Sequence, residues 1–179
     1  AVLRLMITSL LQSVASKPNK KVTFLLDEAA SLGYMSIIMQ AMSGYAGFNI
    51  TLWQIFQDMS QLKAIYGDKW ESIWANSDCR HVFGARDLFT QKYVSESLGT
   101  RTIAKYKTDI FGNVLEVNTM GRDLATPDEV RGLSHDNIFL FTGENPAMLV
   151  RKVPYYQIPK FKKDGKNIYE PNPYIEGSM

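Results

Sequence analysis

A single cysteine, Cys79, stands among 179 residues. That excludes an intrachain disulfide and suits a reducing compartment. Cys79 opens an apolar run and reads as a core residue. Histidine is almost as scarce: His81 and His135 lie far apart, without the spacing of metal ligands, and both read as structural or exposed. Neither sign of charge is in excess. Lys and Arg number 20 against 18 Asp and Glu, a net charge of +2, so no global field draws the chain to nucleic acid or membrane. No apolar run reaches the ~18 residues that span a bilayer. No internal repeat is visible. What remains, 45% hydrophobic and 21% charged residues, is the composition of a soluble globular domain with a real core. The chain starts at Ala1 without an initiator Met and enters a helical pattern at once, which reads as a piece of something longer.

The most informative stretch is Val22-Thr23-Phe24-Leu25-Leu26-Asp27-Glu28. A continuous apolar run after the turn-forming residues 17–21 reads as a strand buried on both faces. Two carboxylates at its end stand at the carboxyl edge of a parallel sheet, where ligands bind in open α/β folds. This is the Walker B arrangement of P-loop nucleoside triphosphatases. Asp27 would hold Mg²⁺, directly or through water. Glu28 would orient or deprotonate the attacking water. The plainer alternative is an Asp that caps the next helix.

Apolar spacing predicts a helix over 2–14, a turn, and then the Val22 strand, an αβ unit. A helix over 36–43 and a strand over 50–56 follow. That strand ends at Gln57-Asp58. A Gln at a strand tip beside Walker B can sense the γ-phosphate or its water, because it both donates and accepts hydrogen bonds; otherwise it is a solvated or capping residue. Short helices over 60–66 and 70–75 come next, with Trp70, Ile73 and Trp74 on a core face. A strand over 79–83 leads to Gly84-Ala85-Arg86-Asp87 and a helix over 88–98. A hairpin is expected from 100–107 and 114–118 about residues 111–113. Thr126-Pro127-Asp128-Glu129 is a helix start with N-cap, N1 proline and N3 glutamate. Strands over 138–142 and 147–152 close the pattern. The order implies a mainly parallel sheet with helices on both faces and an antiparallel extension. From Pro154 the chain turns rich in Pro, Tyr and Lys. That tail lies along its own domain, or its basic and aromatic residues meet bases and phosphates.

With these pieces placed, the sequence resembles the type IV secretion coupling proteins of conjugation, the TraG/TraD-type family. The resemblance rests on VTFLLDEAASLG, QDMSQLKAIYGDKWESIWANS, ESLGTRTI, and RDLATPDEVRGL with PAMLVRKVPYY. It implies an α/β RecA-like P-loop NTPase core, here its Walker B half, with residues 1–153 as the C-terminal portion of that domain and 154–179 as a tail. It further implies a hexameric, ATP- and Mg²⁺-dependent motor at the cytoplasmic face of the bacterial inner membrane. Such a motor is anchored through a preceding segment, engages single-stranded DNA and relaxosome proteins, and feeds a type IV secretion channel. Asp27 and Glu28 match the Walker B acids and Gln57 the sensor glutamine. Arg86 stands where the family often has Asn, as an intersubunit contact or a surface charge. The glycine stretch 44–48 lacks the arginine finger of some members. No GxxxxGK[ST] loop occurs, so the resemblance implies no tight ATP binding and no hydrolysis by this chain alone. The alternatives are a non-catalytic docking or assembly module, or a related hexameric DNA translocase.

Overall fold

Two αβ units and an antiparallel sheet carry the chain. The computed structural model describes residues 2–16, 21–44, 46–108, 110–143 and 145–158, and the backbone of 162–163 and 166–167. The expected turn at 17–20 and most of the expected tail lie outside the described residues. Helix α1 (Val2–Ser16) precedes β1 (Val22–Leu26). A 3-10 turn (Ala29–Leu32), α2 (Ser36–Gly44) and β2 (Ile50–Gln54) follow. β1 and β2 pair in parallel, Val22 beside Ile50 through Leu26 beside Gln54.

Helices α3 (Met59–Tyr66) and α4 (Trp70–Ala75) lead to β3 (Cys79–Val82) and α5 (Leu88–Leu98). Strands β4 (Thr100–Thr108) and β5 (Val114–Asp123) form the hairpin, longer than its sequence signal. Helix α6 (Pro127–Arg131) begins with the expected capping box. The Thr126 side chain accepts from the Glu129 N–H, and the Glu129 carboxylate accepts from the Thr126 N–H. Strands β6 (Asn137–Thr142) and β7 (Met148–Arg151) complete a second sheet in the order β3-β6-β7.

The mixed α/β class stands, but the antiparallel part begins one strand earlier than the αβ alternation implies. β3 pairs antiparallel with β6, Cys79 beside Thr142 and Val82 beside Phe139. Its ring contact with β2, His81 edge-on to Trp53 at 6.3 Å, keeps the two sheets side by side.

Two buried clusters fill the same side of these sheets. Ile7 and Leu11 of α1 and Ile38 of α2 pack on Leu26 and Ile50. Trp70, Ile73, Val94 and Val130 pack on Val82, Phe139 and Phe141. Met42 and Phe56 touch both clusters and join them. Trp70 meets Tyr93 at 4.7 Å and Phe89 at 5.4 Å, edge-to-face geometries that favour aromatic pairs. The expected core role of these aromatics is thereby met.

Three expectations are corrected. The first strand is not buried on both faces, and helices on both faces of the sheet are not found among the described residues. Thr23, Leu25, Thr51, Trp53, Cys79 and His81 share a face that stays open, with Leu25 61% and Trp53 54% exposed. Cys79 is likewise exposed rather than core. Strand alternation sends Arg80 and Val82 inward and leaves Cys79 and His81 outside. Arg80 is accommodated there by lying over the Trp74 and Phe141 rings, 5.1 and 5.7 Å from their centroids. No helix among the described residues is long and apolar enough to cross a membrane.

Candidate functional site at the carboxyl edge of the parallel strands

The site grows from an irregularity in the β1–β2 ladder. The Ile55 N–H donates to the Leu26 carbonyl at 3.0 Å, and the Ala29 N–H donates to the Ile55 carbonyl at 2.9 Å. In a regular parallel ladder one residue would lie between Leu26 and the next donor. Here two do, Asp27 and Glu28. The acid pair is therefore a bulge opposite Ile55, a device that re-aims side chains and recurs beside active sites. Glu28 takes the left-handed conformation, φ 54° and ψ 52°, uncommon for a residue with a side chain.

The bulge brings two of the expected site residues together. The Gln57 Nε2 donates to Glu28 Oε1 at 3.4 Å, a long bond between groups 29 positions apart. Asp27 and Glu28 are both exposed, as is Gln57. The Gln57 backbone N–H donates to Gln61 Oε1 at 3.2 Å, so the first turn of α3 holds the loop that carries it. Asp58 caps that helix by accepting from the Gln61 N–H at 2.7 Å.

The loop after β3 buttresses the same turn. Asp87 Oδ2 accepts from the Ser60 hydroxyl at 2.8 Å and from the Thr90 N–H at 2.9 Å. The Thr90 hydroxyl in turn accepts from the Met59 N–H at 2.9 Å. Partial burial pushes the Asp87 carboxyl up, but hydrogen bonds from Thr90 and Ser60 outweigh it and hold the pKa below the usual aspartate value. Asp58, Asp87 and Thr90 thus fix the first turn of α3, from which Gln61 holds the Gln57 backbone. Sequence reasoning did not assign them this role. The available signal was an Asp immediately ahead of an apolar helical pattern, which marks an N-cap.

Arg86 is exposed in this loop, and among the described residues its guanidinium forms no ion pair. Its carbonyl accepts from the Gln91 Nε2 at 3.0 Å. Among the described residues no hydrogen bond or ion pair joins its guanidinium to Asp27, Glu28 or Gln57.

The donor set suits one kind of metal site. Among the described residues no group of three or more His, Cys, Asp or Glu is arranged to hold an ion. An all-protein cage is therefore not formed by them. Mg²⁺, however, is commonly held by one or two carboxylates, waters and substrate phosphates. An exposed Asp27 at a sheet edge fits that requirement.

A family model described as type IV secretory system conjugative DNA transfer matches residues 2–172. Protein VirD4 of Agrobacterium fabrum strain C58 is 30% identical over 158 residues, 84% of this chain and 24% of its own length. Conjugal transfer protein TraG of Rhizobium radiobacter is 28% identical over 180 residues, 94% of this chain and 28% of its own. The chain therefore spans about a quarter of these relatives. Among solved structures, the bacterial conjugative coupling protein TrwB in an unbound monoclinic form matches with a TM-score of 0.68 and 22% identity, over 82% of this chain and 35% of that one. The plasmid coupling protein TrwB in complex with ADP and Mg²⁺ matches with a TM-score of 0.65 and 22% identity, over 82% and 34%. These likenesses carry the fold.

Proposed function

The chain belongs to the type IV secretory conjugative DNA-transfer family, and on that premise we propose that it is the Walker B part of an ATP-driven coupling motor. The observation that carries this reading is the pairing of Glu28 with Gln57 across the carboxyl edge of β1 and β2. A carboxylate and an amide held together can share one water. Glu28 takes the proton, and Gln57 fixes the oxygen by donating and accepting at once. Asp27 would hold Mg²⁺, which when bound neutralises charge on the phosphates. The complex of TrwB with ADP and Mg²⁺ supports that cofactor pair.

The chain lacks the loop that cradles phosphates. In our reading, residues 1–153 complete a nucleotide site only with a P-loop segment. The assembled protein is a hexamer at the cytoplasmic face of the inner membrane, held there through a segment outside this chain. It moves single-stranded DNA, delivered with relaxosome proteins, into the secretion channel. Arg86 is the candidate for a contact across subunits.

The test compares ATP turnover by this chain with turnover by the chain joined to a preceding P-loop segment. No turnover above background is expected from the chain alone, and turnover sensitive to Glu28→Gln from the joined protein. Turnover by the chain alone that disappears in Glu28→Gln would overturn the half-site reading.

A further inference from the structure

The β4–β5 hairpin stands out from the body of the molecule. Every residue of β5 is exposed, on both faces of the ribbon. Its base is closed by the Leu124 N–H donating to the Gly99 carbonyl at 2.9 Å. The register sorts its side chains into two unlike faces. One carries Arg101 opposite Arg122, Ile103 opposite Met120, Lys105 opposite Asn118, and Lys107 opposite Glu116. The other carries Thr100 opposite Asp123, Thr102 opposite Gly121, Ala104 opposite Thr119, and Tyr106 opposite Val117. Four cations and one acid stand on the first face, whereas these pairs of the second carry one acid, Asp123, and no cation.

Solubility alone does not explain that sorting. Lysines on an exposed strand block pairing with other strands, but they do so on either face. Two arginines directly opposite each other weaken a hairpin. Arg122 is drawn to Glu129 at 2.9 Å, an exposed pair that relieves the conflict only in part. A local choice that costs stability points to a ligand that repays it. Same-face residues recur about every 6.6 Å along a strand, comparable with the interval between successive phosphates of an extended nucleic acid strand. A line of cations on a narrow ribbon therefore complements one phosphodiester backbone better than a compact anion.

We propose that the Arg101–Lys105–Lys107 face of the hairpin binds the phosphate backbone of the DNA strand that the protein transfers. This rests on the DNA-transfer reading above and adds the surface that performs it. The site does not read bases, because its contacts are charges along a ribbon.

The test is fluorescence anisotropy with a labelled single-stranded oligonucleotide, measured across salt concentrations. Wild type, the triple variant Arg101→Gln, Lys105→Gln, Lys107→Gln, and a control triple variant Lys69→Gln, Lys92→Gln, Arg131→Gln are compared, with circular dichroism to verify folding. On single strands each phosphate contact contributes about 0.7 to the slope of log affinity against log salt, so the hairpin variant should lower that slope by about 2. The control should bind as wild type does. Wild-type slope and affinity in the hairpin variant would overturn the proposal and leave the DNA-transfer reading standing. Equal losses in both variants would also overturn it, as an effect of net charge. No binding by wild type at low salt would overturn both. Should the hairpin variant fail to fold, Lys105→Gln alone is scored by the same slope, with an expected loss of about 0.7.

Discussion

Glu28 occupies a backbone conformation that costs a non-glycine residue about 1 kcal/mol or more. The bulge opposite Ile55 imposes it, and the reward is a carboxylate turned to Gln57. Glu28→Gly should therefore unfold at the same or a higher denaturant concentration than wild type, by up to about 1 kcal/mol, although it deletes the proposed base. A clear loss of stability would mean that the carboxylate, not the backbone, holds the turn. Asp87 makes the second prediction. Its folded pKa is depressed, so its stabilisation is present above the unfolded value of about 3.9 and fades as pH falls through the folded one. Asp87→Ala should lower stability near neutral pH by about 1 kcal/mol, the usual cost of removing an N-cap side chain. The difference from wild type should shrink toward pH 2. A difference that stays constant with pH would refute a role for the ionised carboxylate. At this scale the sequence was legible in position: Asp27-Glu28 follow β1 directly, and Gln57 lies in the loop after β2 rather than at the tip of a strand reaching residue 56. The bulge was not legible, because it depends on which residue donates to Leu26.

Elements whose signals are local emerged as expected. Thr126-Pro127-Asp128-Glu129 contains all that a capping box needs, and α6 begins with it. Thr126→Ala should cost about 1 kcal/mol in urea unfolding, and Thr126→Ser should retain most of that stability. An Ala variant as stable as wild type would show that burial of Val130, not the cap, fixes the helix. Pairing partners were less legible. Residues 79–83 read as one more parallel strand, because αβ alternation precedes them. Their partner β6 lies more than 50 residues later, and nothing within 79–83 names it. Cys79 was taken for a core residue for the same reason. In a four-residue strand the inward face is set by the neighbour, and aromatic rings on α4 and β6 make room for a guanidinium.

For the whole molecule, family membership and fold rest on the ordered strings spread from Val22 to Tyr156, and the matched family model spans residues 2–172. The helices gather on one side of the sheets, and the sequence alone did not reveal that the opposite face would carry Leu25 and Trp53 uncovered. An apolar run bounded by turns looks the same in a strand covered once or twice. We propose that Glu28 and Gln57 act as one water-handling unit in the assembled motor. That pairing is tested most directly by ATP hydrolysis, at saturating ATP, in the protein that joins this chain to a P-loop segment. Glu28→Gln should leave nucleotide binding intact and reduce kcat by about 10² to 10⁴. Gln57→Ala should also reduce it, and the double variant should be scarcely slower than Glu28→Gln, because residues that act as a unit are not additive. Wild-type turnover in Glu28→Gln, or losses that multiply in the double variant, would contradict the account.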